Sequence, residues 1–159
     1  MIFVNCLDIS EVSRELYERF YENASLQRRQ KAERCRCPED GVRCILAETL
    51  LCFSLKEACG YTGEVITRYN EYGKPFVKDL EQFAYNISHS GKWVAVAYVC
   101  REGEIGIGVD VEKVREAADH EKIANRFFHE SEREYIFSAA DEKEKAGRFT
   151  EVWTLKESY

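Results

Sequence analysis

Apolar residues recur along this chain at two periods, and the period changes mark its elements. Phe3-Val4 alternates weakly with its polar neighbours and predicts a first strand. Ser10 and Glu11 then open a helix predicted to reach Asn23, with Val12, Leu16 and Phe20 spaced four apart on its buried side. Ser25 is placed to cap the next segment, Leu26 to Cys37. Pro38-Glu39-Asp40-Gly41 breaks the chain and starts the longest helix, from about Asp40 to Cys59, which Gly60 ends. Val42, Ile45, Leu46, Thr49, Leu50 and Phe53 trace a wide apolar stripe along it, so it is the central packing helix of the first half.

Beyond Gly60 the pattern becomes strand-like. Glu64 to Tyr69 is β-like, Asn70 to Pro75 forms a turn, and Phe76-Val77 is a short strand. Phe83 to Ser88 is another strand, running into a loop at His89-Ser90-Gly91. Trp93 to Val99 is almost continuously apolar and predicts a strand buried on both faces. Arg101-Glu102-Gly103-Glu104 turns the chain into a further strand, apolar at Ile105, Ile107, Val109 and Val111. The two strands are expected to pair as a hairpin that brings His89 toward Asp110 and Glu112. After Lys113 the chain is helical, with Ile123, Phe127 and Phe128 as one apolar set and a short helix opened by Ser131-Glu132-Arg133-Glu134. A last helix begins near Asp141 and buries Phe149, Val152, Trp153 and the stem of Lys156, with Glu157 one turn beyond Trp153. Both halves thus combine helices with antiparallel strands, a faint sign of internal duplication.

Composition narrows the class. With 45% hydrophobic and 13% aromatic residues, 159 residues supply the core of one domain or of two small halves. A net charge of −6 argues against a general nucleic-acid binder. The first ten residues have no basic lead of the signal-peptide kind, and no apolar run approaches the roughly 20 residues of a membrane span. The expectation is a soluble, cytoplasmic protein. Seven cysteines without a secretory signal read as reduced thiols. Cys35, Cys37, Cys44, Cys52 and Cys59 lack the spacing of zinc knuckles, and several fall in the apolar helical pattern as small hydrophobes. The chain stops at Tyr159 inside an amphipathic pattern with no Gly or Pro stop, which reads as a truncation.

Three groups of residues carry candidate chemistry. Asp110 and Glu112 stand two apart, so a strand presents both carboxylates on one face. A hard cation such as Mg²⁺ would relieve their repulsion and keep positions open for a phosphate, while the plainer alternative is a pair of solvated acids. The segment Leu26 to Cys37 carries Arg28, Arg29, Lys31, Arg34 and Arg36 against Glu33, and is either an anion site or an ordinary solvated face. Arg43 lies at the start of the long helix, where backbone N–H groups also favour a phosphate. Lys74, between Gly73 and Pro75, has its backbone held by a turn that aims its amine.

The ordered set Gly73-Lys74-Pro75, Asn86-Ile87-Ser88-His89-Ser90, Gly108-Val109-Asp110-Val111-Glu112, Arg126-Phe127-Phe128 and Trp153-Thr154-Leu155-Lys156-Glu157-Ser158 resembles the surfactin-type 4′-phosphopantetheinyl transferases. Each motif alone is weak; their order and spacing across essentially the whole chain make the resemblance specific. It implies an α+β, pseudo-duplicated fold of two similar halves with antiparallel sheets and packed helices. The N-terminal half would be residues 1–102, and the incomplete C-terminal half residues 103–159. It implies coenzyme A bound in the cleft between the halves and Mg²⁺-dependent transfer of its phosphopantetheine arm to a serine of an acyl or peptidyl carrier protein, releasing 3′,5′-ADP. Asp110, Glu112 and Glu157 become the Mg²⁺ ligands. Lys74, Ser88, His89 and Lys156 become coenzyme contacts, and Arg28, Lys31 and Arg43 hold its 3′-phosphate side. Asp110, His89 and Glu157 carry the catalytic roles, with Glu157 or a metal-bound water taking the serine proton.

The family motif continues to a lysine expected two residues beyond Tyr159, with the second sheet and carrier-docking surface further on. Little or no transferase activity is therefore expected of these 159 residues, and the full-length parent is expected to be a monomer. Three rivals stand beside this reading: a holo-acyl-carrier-protein synthase, whose short chains trimerise; a degenerate or fragmentary chain that binds coenzyme A or a partner without catalysis; and a cysteine-based zinc regulator, of which no bound zinc is expected. The pathway served, whether siderophore, polyketide, peptide or fatty acid, is left open.

Overall fold

Strand β5, Trp93–Cys100, sits at the centre of the first part of the molecule, and its composition explains why. Val94 to Val99 are all buried, so both faces of this strand must be covered. The computed structural model describes residues 1–101, 103, 106–115 and 119–159. They divide into two compact units, Met1–Val111 and Glu112–Tyr159.

In the first unit β5 pairs antiparallel with β1, Phe3–Asp8, on one side and with β4, Phe83–Ser90, on the other. One face of this sheet packs on helix α3, Pro38–Cys59. Leu50, Leu51 and Leu55 of α3 meet Phe83, Tyr85, Val94, Val96 and Tyr98 there. Phe53, expected in the stripe, is 52% exposed; the inward row is carried by Ile45, Leu46, Leu51 and Leu55. Pro38 occupies the start of α3, where its missing N–H costs nothing, and Gly60 closes it at φ 66° in the left-handed region. Helices α1, Arg14–Asn23, and α2, Leu26–Glu33, pack beside it around Ala24, Ala32, Cys44 and Ile45. Ser25 caps α2 as expected, accepting from the Arg28 N–H. Ser13, not Ser10, caps α1, because Ile9–Glu11 is taken up by a 3₁₀ turn that Asp8 caps.

A separate hairpin pairs β2, Thr67–Tyr69, with β3, Pro75–Val77. The opposite face of the main sheet is covered by Ile107 and Val109 against Ala84, Ala97 and Val99. Residues 106–111 are extended but form no strand ladder, which corrects the expected hairpin with β5. They lie on the sheet face and belong to the compact unit Met1–Val111. Residues 102, 104 and 105, on which the expected turn, the half boundary and the Ile105 position fall, lie outside the described residues. The cysteines are unbridged, and the Cys59 and Cys100 sulfurs lie 2.9 Å apart.

The second unit comprises α4, His120–Phe127, α5, Glu130–Phe137, and α6, Glu142–Glu157. Its core is Ala124, Phe128, Ile136, Phe149 and Val152, with Ile123 and Trp153 against it. Phe127 points outward at 61% exposure, so Phe128 alone carries the apolar role assigned to the pair. Asp141 caps α6 by accepting from the Glu144 N–H at 2.7 Å. No described helix is long and apolar enough to cross a membrane.

Candidate functional site

Alternation along β4 decides which candidate residues share a face. Tyr85, Ile87 and His89 point toward α3, whereas Ala84, Asn86 and Ser88 point toward residues 106–111. His89 and Ser90 are the end of this strand, not a loop, because the ladder continues to Ser90 opposite Trp93. His89 therefore faces away from the Asp110 segment, and Ser88 is the residue that reaches it.

Ser88 donates from its Oγ to Asp110 Oδ1 at 2.8 Å, and the same oxygen accepts from the Val111 N–H at 3.1 Å. Asn86 Oδ1 accepts from the Val109 N–H at 3.0 Å. The Lys74 amine donates to the Ile107 carbonyl at 2.9 Å. Lys74 is positioned by the Asn70 turn, in which Asn70 Oδ1 accepts from the N–H groups of Tyr72 and Lys74 and Gly73 adopts φ 77°. Asp110 Oδ2 is buried and has no hydrogen-bond partner among the described residues. A buried carboxylate oxygen left in this way is unfavourable unless a cation meets it, and a carboxylate oxygen is the type of ligand a hard metal ion takes. Asp110 belongs to the first unit, and Glu112 and Glu157 to the second. Within either unit, no three His, Cys, Asp or Glu side chains cluster among the described residues.

On the α3 side, Arg43 donates to Asp40 and to the Gly91 carbonyl, tying the start of α3 to the β4–β5 turn. Desolvation, and next the Arg43 guanidinium, hold the His89 pKa below its usual value, which favours the neutral imidazole. Lys31 is exposed, as are Arg34 and Arg36. Cys37 leads into α3 without a side-chain cap, and its carbonyl accepts from the Asp40 N–H at 3.0 Å and the Gly41 N–H at 3.3 Å. Arg28, also expected on the 3′-phosphate side, has a carboxylate partner within the first unit. It turns inward to Glu48, 3.3 Å away, while Glu48 also accepts from the Ser25 N–H at 2.6 Å and its Oγ at 2.8 Å. Glu48, an acid inside the apolar stripe of α3, was the signal for this that the sequence reading missed.

A cavity of about 830 Å³ opens in the first unit, lined among others by Lys74, Phe76, Phe83, Tyr85 and Arg101. Arg101 was not among the sequence candidates; as the basic residue that follows the buried strand it was open to notice. In the second unit Lys156 pairs with Glu132 at 2.9 Å and lies over the Phe128 ring. Glu157 is exposed on the last turn of α6. A smaller hollow of about 230 Å³ has Glu112, Lys113, His120, Phe149 and Trp153 in its wall.

Against this geometry, residues 106–159 match the family model described as the 4′-phosphopantetheinyl transferase superfamily. The matched stretch opens at Gly106, on the extended segment that Ser88 and Asn86 hold, and runs to the end of α6. The chain is 36% identical over 160 residues to the 4′-phosphopantetheinyl transferase gsp of Aneurinibacillus migulanus, covering 100% of this chain and 63% of that protein. It is 33% identical over 149 residues to the 4′-phosphopantetheinyl transferase Sfp of Bacillus subtilis, covering 93% of this chain and 63% of that one. The match to the 4′-phosphopantetheinyl transferase HetI of Nostoc is 38% over 104 residues, 61% of this chain and 40% of the relative. The chain thus spans a little over three-fifths of the length of the first two relatives.

Proposed function

We propose that this chain is the coenzyme-side and metal-side part of a 4′-phosphopantetheinyl transferase of the surfactin type. In this reading it moves the phosphopantetheine arm of coenzyme A onto a carrier-protein serine and leaves 3′,5′-ADP. The reading rests above all on Asp110. One of its oxygens is held by Ser88 and the other is buried without a hydrogen-bond partner among the described residues, within the stretch that matches the transferase family model.

Asp110, Glu112 and Glu157 would hold Mg²⁺, which neutralises charge on the diphosphate when bound. Ser88 orients the Asp110 carboxylate, so the oxygen facing the cation needs no reorganisation. His89, kept neutral, donates an N–H to a phosphate oxygen without the cost of desolvating a second charge beside Arg43. Lys31 offers positive charge to the 3′-phosphate, with Arg43 fixing the nearby start of α3. Lys74 and Lys156 supply further positive charge to the coenzyme. Glu157 is the group assigned to accept the serine proton as the oxygen attacks phosphorus. The proposed halves, 1–102 and 103–159, follow the duplicated plan.

Binding is the first readout, because the chain is shorter than its relatives. Calorimetry in Mg²⁺ buffer is expected to show coenzyme A bound more tightly than 3′-dephospho-coenzyme A. Equal affinities would remove the 3′-phosphate site, and no binding at all would overturn the proposal. Incubation with coenzyme A, Mg²⁺ and an apo carrier protein, read by the carrier's mass, separates transfer from a purely binding role.

A further inference from the structure

The Asn86-to-Ser90 motif contains a residue that the proposed mechanism leaves unused. Residues 106–111 lie on a sheet face without a backbone ladder, yet this stretch holds its Val109 and Val111 N–H groups in fixed bonds. The partners are side chains two apart on β4: Asn86 accepts from Val109, and Ser88 accepts from Val111. Their spacing of two matches the spacing of the N–H groups that an extended segment turns toward one side. Lys74 adds a third tie, to the Ile107 carbonyl. Ile107 and Val109 supply the apolar contact with Ala84, Ala97 and Val99 that seats the segment.

We infer that Asn86 is a positioning residue: its side-chain carbonyl replaces a strand ladder at Val109 and thereby sets the height and rotation of the adjacent Asp110 carboxylate over the sheet. Asn86 acts through the Val109 backbone N–H. Three features support the assignment. The Val109 bond is 3.0 Å long, between a half-buried side chain and a half-buried backbone. Asp110 follows Val109 directly, so rotation of that peptide swings the carboxylate away from Ser88. Without the Asn86 bond the polar ties are at Ile107, through Lys74, and at Asp110 and Val111, through Ser88, and the Val109 peptide between them loses the bond that sets its rotation. The consequence for the metal rests on the proposed function above; the clamp itself does not.

The test compares the protein with Asn86→Leu, which removes the acceptor at similar size, and Asn86→Asp, which keeps an acceptor oxygen. The first measurement is amide hydrogen exchange at Val109 and Val111 without metal, with the Val96 amide of β5 reporting that the sheet is intact. Asn86→Leu is expected to speed exchange at Val109 about tenfold while Val96 is unchanged. Asn86→Asp is expected to retain protection at Val109. Unchanged Val109 exchange in Asn86→Leu would overturn the inference. If Asn86→Leu unfolds the sheet, Asn86→Asp decides: Val109 protected supports the clamp, and Val109 unprotected beside a protected Val96 refutes it. The second measurement is the Mg²⁺ concentration that half-saturates the metal-dependent part of coenzyme A binding. It is expected to rise about tenfold in Asn86→Leu, with binding in EDTA unaltered. A wild-type protein whose binding ignores Mg²⁺ would refute the metal reading, while the exchange arm would still judge the clamp.

Discussion

Met1–Val111 and Glu112–Tyr159 hold their candidate residues in different ways. In the first unit the three-stranded sheet is covered on both faces, and strand register assigns each side chain a direction: Ser88 to Asp110, His89 toward α3. In the second unit three helices close on a small aromatic core, and Lys156 and Glu157 ride on the outer part of α6. A ladder fixes a position through many backbone bonds at once, whereas a helix surface fixes it through a few side-chain contacts, such as those of Lys156 with Glu132 and the Phe128 ring. Site geometry is therefore expected to be rigid where the sheet supplies it and adaptable where α6 does.

The difference is open to direct attack, because each unit carries one tryptophan, Trp93 and Trp153, as its own reporter. The largest effect is expected from Leu51→Ala, which empties a fully buried position between α3 and the sheet and costs about 4 kcal/mol. Urea unfolding followed in a Trp153→Phe background should show the loss at Trp93. A Trp93 transition left in place would mean that α3 does not support the sheet as described. Next is Glu48→Ala, which leaves the Arg28 charge half-buried without its carboxylate and the Ser25 N–H without an acceptor. A loss of about 3 kcal/mol is expected in the same assay. A change below 0.5 kcal/mol, roughly the scale of an exposed pair, would contradict the inward placement of Arg28.

The smallest effect concerns Asp8, where β1 meets the 3₁₀ turn. Its carboxyl accepts from Lys92 and from Ser10, which lower its pKa to about 2. A depressed carboxylate pKa contributes stability in full above the unfolded value near ~4, and that contribution is lost as pH falls through the folded value. Asp8→Asn should therefore lower the melting temperature at pH 6, and the gap to wild type should close as pH falls from 4 to about 2. A gap independent of pH would show that the carboxylate charge is not what acts.

Much of the first unit was legible in the sequence because its signals are local and redundant. The apolar run at Trp93 to Val99, the stripe on α3, the Ser25 cap and the Gly60 stop each found their element. Apart from the Ser13 cap, which the local 3₁₀ turn decides, the main misses depend on a partner distant in sequence. Apolar alternation at Ile107 and Val109 described a segment with one buried side, but not whether a ladder or side chains would satisfy its N–H groups. Arg28 read as an open cation because Glu48 lies a helix away. Phe127 and Phe128 are equally apolar, and only the packing of α6 selects Phe128. At the candidate site, Asp110 and Ser88 were singled out from their motifs, while Asn86, which meets the chain only through a backbone group, was not.

The proposed function turns on Asp110 meeting a divalent ion that grips a diphosphate, and calorimetry of coenzyme A binding with and without Mg²⁺ tests it most directly. Binding to the wild-type protein is expected to tighten on adding Mg²⁺, and Asp110→Ala is expected to abolish that gain while leaving metal-free binding in place. An Asp110→Ala protein whose affinity still rises with Mg²⁺ as much as wild type's would contradict the account.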